Sequence, residues 1–199
     1  MDKPHVRIRT LDEIRQQGED DRFWETQSPE DRLRAVEILR RQYGKLAPGK
    51  GYACSKGFEE FFASFNARNV LYLVVGGYAI AFHARPRFTG DLDVFVLANE
   101  GNARKIILAL ADFGFTLPEP TWKELTTPAN IVQLGYPPHR IDIMTAIDGV
   151  VFDEAWGRRV ISQYGNQRVH FISKEDLIAH MRVSGRKQDL IDLEFLTQN

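Results

Sequence analysis

Continuous apolar runs divide the chain into elements with the character of β-strands. Residues 70–75 are apolar and β-prone throughout, which predicts a central strand buried on both faces. Three further β-prone stretches follow, at Asp91–Val96, Ile131–Leu134 and Arg140–Met144. A Gly-Tyr-Pro-Pro sequence separates the last two and predicts a hairpin connection. Residues 169–172 predict one more short strand.

Helical periodicity predicts the elements between these strands. Residues 78–83 follow a pair of glycines directly and predict a short helix that leaves the first strand. Ser173 is a helix-capping residue, with acidic residues in the turn that follows it. Apolar residues recur at helical spacing in four stretches of the chain, residues 58–65, 102–113, 174–182 and 186–196.

Charge and proline content set residues 1–48 apart from the rest of the chain. The stretch carries dense charge of both signs and few β-branched residues, so we interpret it as a helical N-terminal accessory segment. Ser28 and Pro29 mark a helix start inside it. The apolar positions that follow predict a buried stripe, Leu33, Val36, Leu39 and Tyr43. A Pro-Gly-Lys-Gly linker at residues 48–51 leads into the main domain, residues 49–199.

Composition indicates an ordinary globular chain. Its 199 residues are 43% hydrophobic and 27% charged, enough for one domain or for a domain with a small appended piece. Lys and Arg number 26 against 27 Asp and Glu, a net charge of −1. This balance excludes the global basic surface of a nonspecific nucleic-acid binder, so any contact with nucleic acid would be local.

Cysteine content and hydropathy address location. The single cysteine, Cys54, excludes an internal disulfide and a zinc cluster of several cysteines, and it suits a reducing compartment. The first residues lack the apolar segment of a signal peptide, and the longest nearly unbroken apolar run, residues 70–82, is too short to cross a bilayer. We therefore predict a cytoplasmic protein without a membrane partner.

Three aspartates are the candidate metal ligands. Asp91 and Asp93 are two residues apart in a predicted strand, so both side chains leave the same face. Asp142 lies between isoleucines in another predicted strand and can join the pair if the two strands are neighbours. Converging carboxylates repel one another unless a cation is present, and a site with only oxygen ligands suits Mg²⁺ or Mn²⁺. The alternative is an exposed strand edge or a turn, since Asp-x-Asp is common by chance.

A pair of glycines lies between the first strand and its helix. Without side chains, Gly76 and Gly77 would let a phosphate reach backbone N–H groups at a helix N-terminus. The alternative is a tight turn with no ligand. The order of the elements is more specific than any one of them: strand, Gly-Gly, helix, basic connection, Asp-x-Asp strand, helix, then a strand with a lone aspartate.

This order resembles the nucleotidyltransferase superfamily of the DNA polymerase β type. More narrowly, Gly-Gly-Tyr-Ala with His83, the sequence Arg-Phe-Thr-Gly-Asp-Leu-Asp at residues 87–93, and Gly-Arg-Lys-Gln-Asp-Leu at residues 185–190 resemble minimal bacterial nucleotidyltransferases. The similar proteins are those of the abortive-infection AbiEii type and their toxin–antitoxin relatives. The likeness covers about residues 55–196 and makes residues 49–199 a nucleotidyltransferase-like domain with C-terminal helices.

The resemblance implies a fold and a set of site residues. The expected fold is α/β (α+β), with a mixed, mostly antiparallel sheet, helices packed on it, and helical additions at both ends. The implied metal ligands and catalytic residues are Asp91, Asp93 and Asp142. The implied nucleotide contacts are Gly76, Gly77 and Lys187. The superfamily often has Ser where this chain has Gly77, so backbone N–H groups or Thr89 would supply that contact.

Arg85 and Arg87 precede the Asp-x-Asp strand, where guanidinium groups could neutralise a triphosphate. A solvated basic loop is the alternative for these two arginines. Ordinary surface pairing with nearby aspartates is the alternative for Lys187.

The leading hypothesis is therefore a Mg²⁺- or Mn²⁺-dependent enzyme. It would transfer a nucleoside monophosphate from an NTP such as ATP to a hydroxyl of tRNA or of a protein. The resemblance implies a toxin–antitoxin or phage-defence context with a cognate toxin or antitoxin partner. The alternative is a noncatalytic module with the same fold that binds a nucleotide or a partner, for example as an antitoxin-like scaffold.

Overall fold

Helices and strands form a mixed α/β fold, as the sequence predicts. The computed structural model describes residues 23–46, 57–116, 121–136 and 139–197. Residues 23–26 are helical. The helices that follow are α1 (Pro29–Leu46), α2 (Phe58–Ala67), α3 (Gly76–His83), α4 (Glu100–Phe113), α5 (Thr121–Thr126), α6 (Phe152–Arg158), α7 (Lys174–Ser184) and α8 (Lys187–Thr197). The strands are β1 (Tyr72–Val75), β2 (Asp91–Val96), β3 (Ile131–Leu134), β4 (Arg140–Met144), β5 (Val160–Tyr164) and β6 (Gln167–Phe171).

A single mixed sheet joins the strands of the described residues in the order β3-β4-β2-β1-β6-β5. The pairs β1–β2, β3–β4 and β5–β6 are antiparallel, whereas β2–β4 and β1–β6 are parallel. The prediction of a mixed, mostly antiparallel sheet is confirmed. Of its two central strands, β1 ends at the Gly-Gly turn and β2 carries Asp91 and Asp93.

Apolar packing against the central strands forms the core. Every residue of β1 is buried, as expected for a strand covered on both faces. Helix α2 contributes four phenylalanines at helical spacing, each at most 3% exposed: Phe58, Phe61, Phe62 and Phe65. Burial of one such ring is worth about 1.5–3 kcal/mol, so this stripe contributes strongly to the stability of the domain.

Helix α1 packs against α3 through a buried arginine. The Arg32 guanidinium donates to the carbonyl oxygens of Ala81 and Phe82, at 3.0 and 2.6 Å. Carbonyls in the last turn of a helix lack partners within that helix, so these bonds satisfy the end of α3. Leu33 and Val36 are buried as predicted. The prediction of burial is wrong for Leu39 and Tyr43, which are 37% and 44% exposed.

The structure also shows elements that the sequence analysis did not include. Strand β5 pairs with β6 across the Gly165–Asn166 turn, and α5 and α6 are short helices in the C-terminal half. Helix α3 begins at Gly76 rather than at residue 78. The linker predicted at residues 48–51 and the first part of the N-terminal segment lie outside the described residues. In the described ranges, no helix combines the length and the apolarity that crossing a bilayer requires.

Candidate functional site

Three aspartates from two neighbouring strands meet where β2 and β4 begin. The strands run parallel, and their register places Asp93 opposite Asp142 and Asp91 opposite Arg140. Because Asp91 and Asp93 are two residues apart, both lie on the face that Asp142 shares. One carboxylate oxygen of each aspartate lies within 4.8 Å of the other two. We call these three residues the carboxylate cluster.

Burial and negative charge act together on Asp93 of the carboxylate cluster. Burial raises the pKa of Asp93, and the neighbouring charges of Asp91 and Asp142 raise it further. Arg140 and Arg87 lower it, but the pKa still reaches about 7. A carboxylate in this position is stabilised in its charged form by any additional cation.

The donor set of the carboxylate cluster fits a hard divalent cation. All three groups offer oxygen, and Mg²⁺ and Mn²⁺ prefer carboxylate and water oxygens to the nitrogen and sulfur ligands of zinc sites. Three carboxylates also leave part of an octahedral shell for water and for phosphate oxygens of a substrate. Asp91, Asp93 and Asp142 are therefore the residues that would hold such an ion.

Arg140 supplies the positive charge that lies closest to the carboxylate cluster. Its guanidinium pairs with Asp91 and, through Nε, with Asp142 Oδ1 at 2.9 Å. Burial alone lowers the pKa of Arg140, but Asp142 and Asp91 raise it above its ordinary value. One arginine thus bridges two of the three candidate metal ligands.

Two uncharged side chains orient the carboxylates. Thr89 Oγ1 donates a hydrogen bond to Asp91 Oδ1 at 2.8 Å. The register of β3 and β4 sets Gln133 opposite Asp142, and its amide donates to both carboxylate oxygens at 3.2–3.3 Å. These bonds restrict the rotamers of the two aspartates before any ligand binds.

The Gly-Gly turn touches the carboxylate cluster directly. The register of β1 and β2 pairs Val75 with Asp93, so Gly76 follows at the point where Asp93 projects. Gly76 has φ of +60°, and a Cβ built on it would overlap the Asp93 carboxylate. Only glycine satisfies both conditions, since side chains rarely adopt this backbone region and none fits in this space.

Gly77 is tightly enclosed as well. A Cβ at this position would lie 2.8 Å from both Cβ and Oγ1 of Thr89, which is 6% exposed. The Thr89 side chain therefore packs directly against Gly77. In this structure the Thr89 hydroxyl donates to Asp91, and its contact with a nucleotide stays a prediction.

Arg87 joins the site to the C-terminal helix. Its guanidinium forms an ion pair with Asp192 of α8, with Nη2 and Oδ2 2.9 Å apart, and Asp192 is only 2% exposed. The Arg87 charge still acts on the site, because it lowers the pKa of Asp93. Arg85, two residues earlier, packs over the ring of Phe195 on the same helix. The predicted basic connection is therefore a contact surface for α8, and its role toward a triphosphate stays a prediction.

The structure does not bring Lys187 into the carboxylate cluster. It lies exposed at the start of α8, and among the described residues it forms no hydrogen bond or ion pair with the three aspartates. Surface pairing with Asp189 and Asp192 is also not what the structure shows. Asp192 pairs with Arg87, and Asp189 accepts a hydrogen bond from Ser184. The predicted nucleotide contact of Lys187 stays a prediction.

Helix α1 reaches the edge of the site. The ring of Tyr43 packs against Phe88 of the basic connection, with ring centroids 4.6 Å apart. Arg40 Nη1 lies 2.5 Å from Nδ1 of His139, the residue that precedes Arg140. The C-terminal half of α1 therefore borders two of the segments that form the site.

The sequence analysis did not identify Arg140 or Gln133 as residues of the site. Arg140 had a usable signal, because it lies two residues before Asp142 in one strand and so projects from the same face. Gln133 had none, because only the register of β3 on β4 brings it to Asp142.

No protein-family model matches the chain, and no curated protein matches it.

Proposed function

We propose that the protein is a Mg²⁺- or Mn²⁺-dependent nucleotidyltransferase. The observation that carries this proposal is the convergence of Asp91, Asp93 and Asp142 beside the Gly76 turn at the N-terminus of α3. The carboxylates offer oxygen ligands to a cation that would accompany an NTP. The adjoining helix N-terminus offers free backbone N–H groups to phosphate oxygens.

The reaction is a displacement at the α-phosphorus of the NTP. A bond forms between an acceptor hydroxyl oxygen and this phosphorus, the bond to the bridging oxygen of the β-phosphate breaks, and pyrophosphate leaves. The hydroxyl proton passes to Asp142 or to solvent. A bound divalent ion supplies charge neutralisation and alignment of the reacting oxygens. Thr89 and Gln133 fix Asp91 and Asp142 in advance, so their orientation costs little during the reaction.

The acceptor class in this proposal is a hydroxyl of tRNA or of a protein. The net charge of −1 favours an acceptor that needs only a local contact. A cognate toxin or antitoxin partner, a phage-defence setting and a cytoplasmic location belong to the same proposal. They rest on the sequence resemblance and on the single cysteine.

One observation favours the noncatalytic alternative. Arg140 already pairs with Asp91 and Asp142, so part of the charge of the carboxylate cluster is compensated without a metal ion. A scaffold that binds a partner through this fold would need no divalent cation. Binding of an NTP that depends on a divalent cation separates the two functions, because only the enzyme requires it.

The proposal is tested by following label from the α-phosphate of each NTP. The purified protein is incubated with Mg²⁺, the labelled NTP and a cell extract, and the protein and RNA fractions are then resolved. A double variant, Asp91→Asn with Asp93→Asn, removes two ligands while keeping the shape of the side chains. The matched control is Asp148→Asn with Asp153→Asn, because both of these aspartates are exposed.

We expect label in one fraction with the wild type and with the control, and none with the Asp91/Asp93 variant. The labelled fraction would identify the acceptor class. Label that persists in the Asp91/Asp93 variant would contradict the proposed ligands. Absence of label together with absence of cation-dependent NTP binding would favour the scaffold.

A further inference from the structure

Arg140 occupies an unusual position for an arginine that only stabilises a fold. Its guanidinium bridges Asp91 and Asp142, which come from different strands and belong to a group of three close carboxylates. By contrast, among the described residues Arg87 forms an ion pair with one carboxylate, that of the buried Asp192. Arg140 therefore contacts two of the three carboxylates that would hold a divalent ion.

Arg140 and a divalent ion would compete for the carboxylates of Asp91 and Asp142. Three carboxylates with one guanidinium leave an excess of negative charge. With Arg140 in place, every oxygen of Asp91 and Asp142 already has a partner, because Thr89 bonds the second oxygen of Asp91 and Gln133 bonds both oxygens of Asp142. A divalent ion would have to share these oxygens with Arg140. A cation repels another cation strongly at such distances, and each carboxylate oxygen has few lone pairs to share. Arg140 is part-exposed, with 29% of its side chain accessible, so it has a route out of the cluster.

A guanidinium that leaves the carboxylates needs a new anionic partner. In the proposed reaction, on which this inference rests, a triphosphate arrives together with the cation. The planar fork of arginine matches phosphate oxygens as well as it matches carboxylates. Arg140 also lies at the first position of β4, opposite Asp91, on the side of the cluster where the strands begin.

We propose that Arg140 is a resident counter-cation, which a divalent ion displaces from Asp91 and Asp142 and which then binds the triphosphate. Arg140 thereby stabilises the metal-free cluster and couples cation binding to nucleotide binding. It acts on the reaction as a positioning residue, through its ion pairs with the carboxylates and the phosphates.

The test measures two affinities for the same variants. Mn²⁺ binding without nucleotide is followed by electron paramagnetic resonance of the free ion. Binding of α,β-methylene-ATP, which cannot release pyrophosphate, is followed by calorimetry at saturating Mn²⁺. The variants are Arg140→Gln and, as the matched control, Arg104→Gln, which removes an exposed arginine that pairs with Glu100 on α4.

We expect Arg140→Gln to bind Mn²⁺ about tenfold more tightly, because a competing positive charge is gone. We expect the same variant to bind the nucleotide analogue about tenfold more weakly, because a charged hydrogen-bond donor is gone. Arg104→Gln should change neither affinity. Two changes of opposite sign are the signature of the exchange, since a purely structural arginine would weaken both or leave both unchanged.

A second variant, Arg140→Lys, keeps the test informative if Arg140→Gln folds poorly. Lysine keeps the charge but cannot bridge two carboxylates, so we expect a rise in Mn²⁺ affinity of only about twofold and partial retention of nucleotide binding. If the wild type binds Mn²⁺ and neither Arg140 variant binds it more tightly, the exchange is wrong and the metal site stands. If no form binds Mn²⁺, the proposed function falls together with the exchange.

Discussion

The carboxylate cluster differs in charge balance from a second polar cluster in the same domain. The second, which we call the Glu37 cluster, contains Glu37, Arg40, Tyr78 and Tyr164. Arg40 Nη2 lies 2.6 Å from Glu37 Oε2, and Tyr78 Oη donates to Glu37 Oε1 at 2.6 Å. One carboxylate therefore meets one arginine and two hydroxyl groups. The carboxylate cluster instead sets three carboxylates against one adjacent arginine.

The pKa values of Glu37 and Asp93 shift in opposite directions. Burial alone raises the pKa of Glu37, but hydrogen bonds from Arg40, Tyr164 and Tyr78 outweigh burial and leave this pKa below its ordinary value. The pKa of Asp93 rises to about 7, because burial and its acidic neighbours act together. A cluster that satisfies its own charges is structural. Strand register gives the carboxylate cluster more negative than positive charge, so this cluster is suited to bind an additional cation.

Breaking the balanced cluster should give the largest effect on stability. Replacing Glu37 with Gln leaves Arg40 largely buried without its carboxylate, which we expect to lower the free energy of unfolding by about 3 kcal/mol. Urea denaturation measures it. The control, Glu100→Gln, removes an exposed pair with Arg104 and should cost at most about 0.5 kcal/mol. Equal losses in the two variants would show that the ion pair of Glu37 stabilises the fold no more than an exposed ion pair does.

The stabilising effect of Glu37 should depend on pH in a defined direction. A carboxylate whose pKa is lowered by folding adds stability above its unfolded pKa, and this stability is lost as the pH falls through its folded pKa. The stability difference between the wild type and Glu37→Gln should therefore be constant near pH 7 and shrink below about pH 4.5. Urea midpoints across this range measure it, and a difference that grows in acid would contradict the assignment.

The sequence predicts three strands with their bounds because each is a short β-prone stretch set off by turn or loop residues. The predicted bounds of Asp91–Val96, Ile131–Leu134 and Arg140–Met144 are those of β2, β3 and β4. Strand β5 was not predicted, because its apolar run is only Val160 and Ile161, which are 37% and 42% exposed, and two polar residues follow them. The Gly165–Asn166 pair between two β-prone stretches was the available signal.

The candidate site was predictable in its chemistry but not in its contacts. Spacing within one strand identified Asp91 and Asp93, and it could have identified Arg140. Contacts between strands depend on register, which no local pattern records, so the bridge from Arg140 to Asp91 and the bond from Gln133 could not be derived.

The contact between the Gly-Gly turn and the carboxylate cluster can be tested with a pair of glycines. Gly76 and Gly185 share a φ of +60°, but a Cβ at Gly185 meets nothing within 4 Å, whereas one at Gly76 would overlap Asp93. Alanine at either position costs about 1 kcal/mol for the backbone strain. We expect Gly76→Ala to cost about 1 kcal/mol more and to abolish Mn²⁺ binding, because Asp93 must move. Equal costs, with Mn²⁺ binding retained, would show that Asp93 adapts freely.

The smallest expected effect is an increase in stability, and it tests the difference in charge balance between the two clusters most directly. Asp93→Asn removes one negative charge from the carboxylate cluster, which has an excess of negative charge, and keeps the side-chain shape. We expect the free energy of unfolding at pH 8, in the presence of a chelator, to rise by about 1 kcal/mol. Asp148→Asn, an exposed control, should change it by less.

Excess Mn²⁺ should then reverse the order of the wild type and Asp93→Asn. A ligand that binds only the folded state stabilises it in proportion to the logarithm of its concentration over its Kd, and the variant lacks one ligand group. Unfolding curves with the chelator and with Mn²⁺ measure both halves of this prediction. If Asp93→Asn loses stability in the chelator, Asp93 is satisfied as Glu37 is, and the two clusters do not differ in the way that the metal site requires.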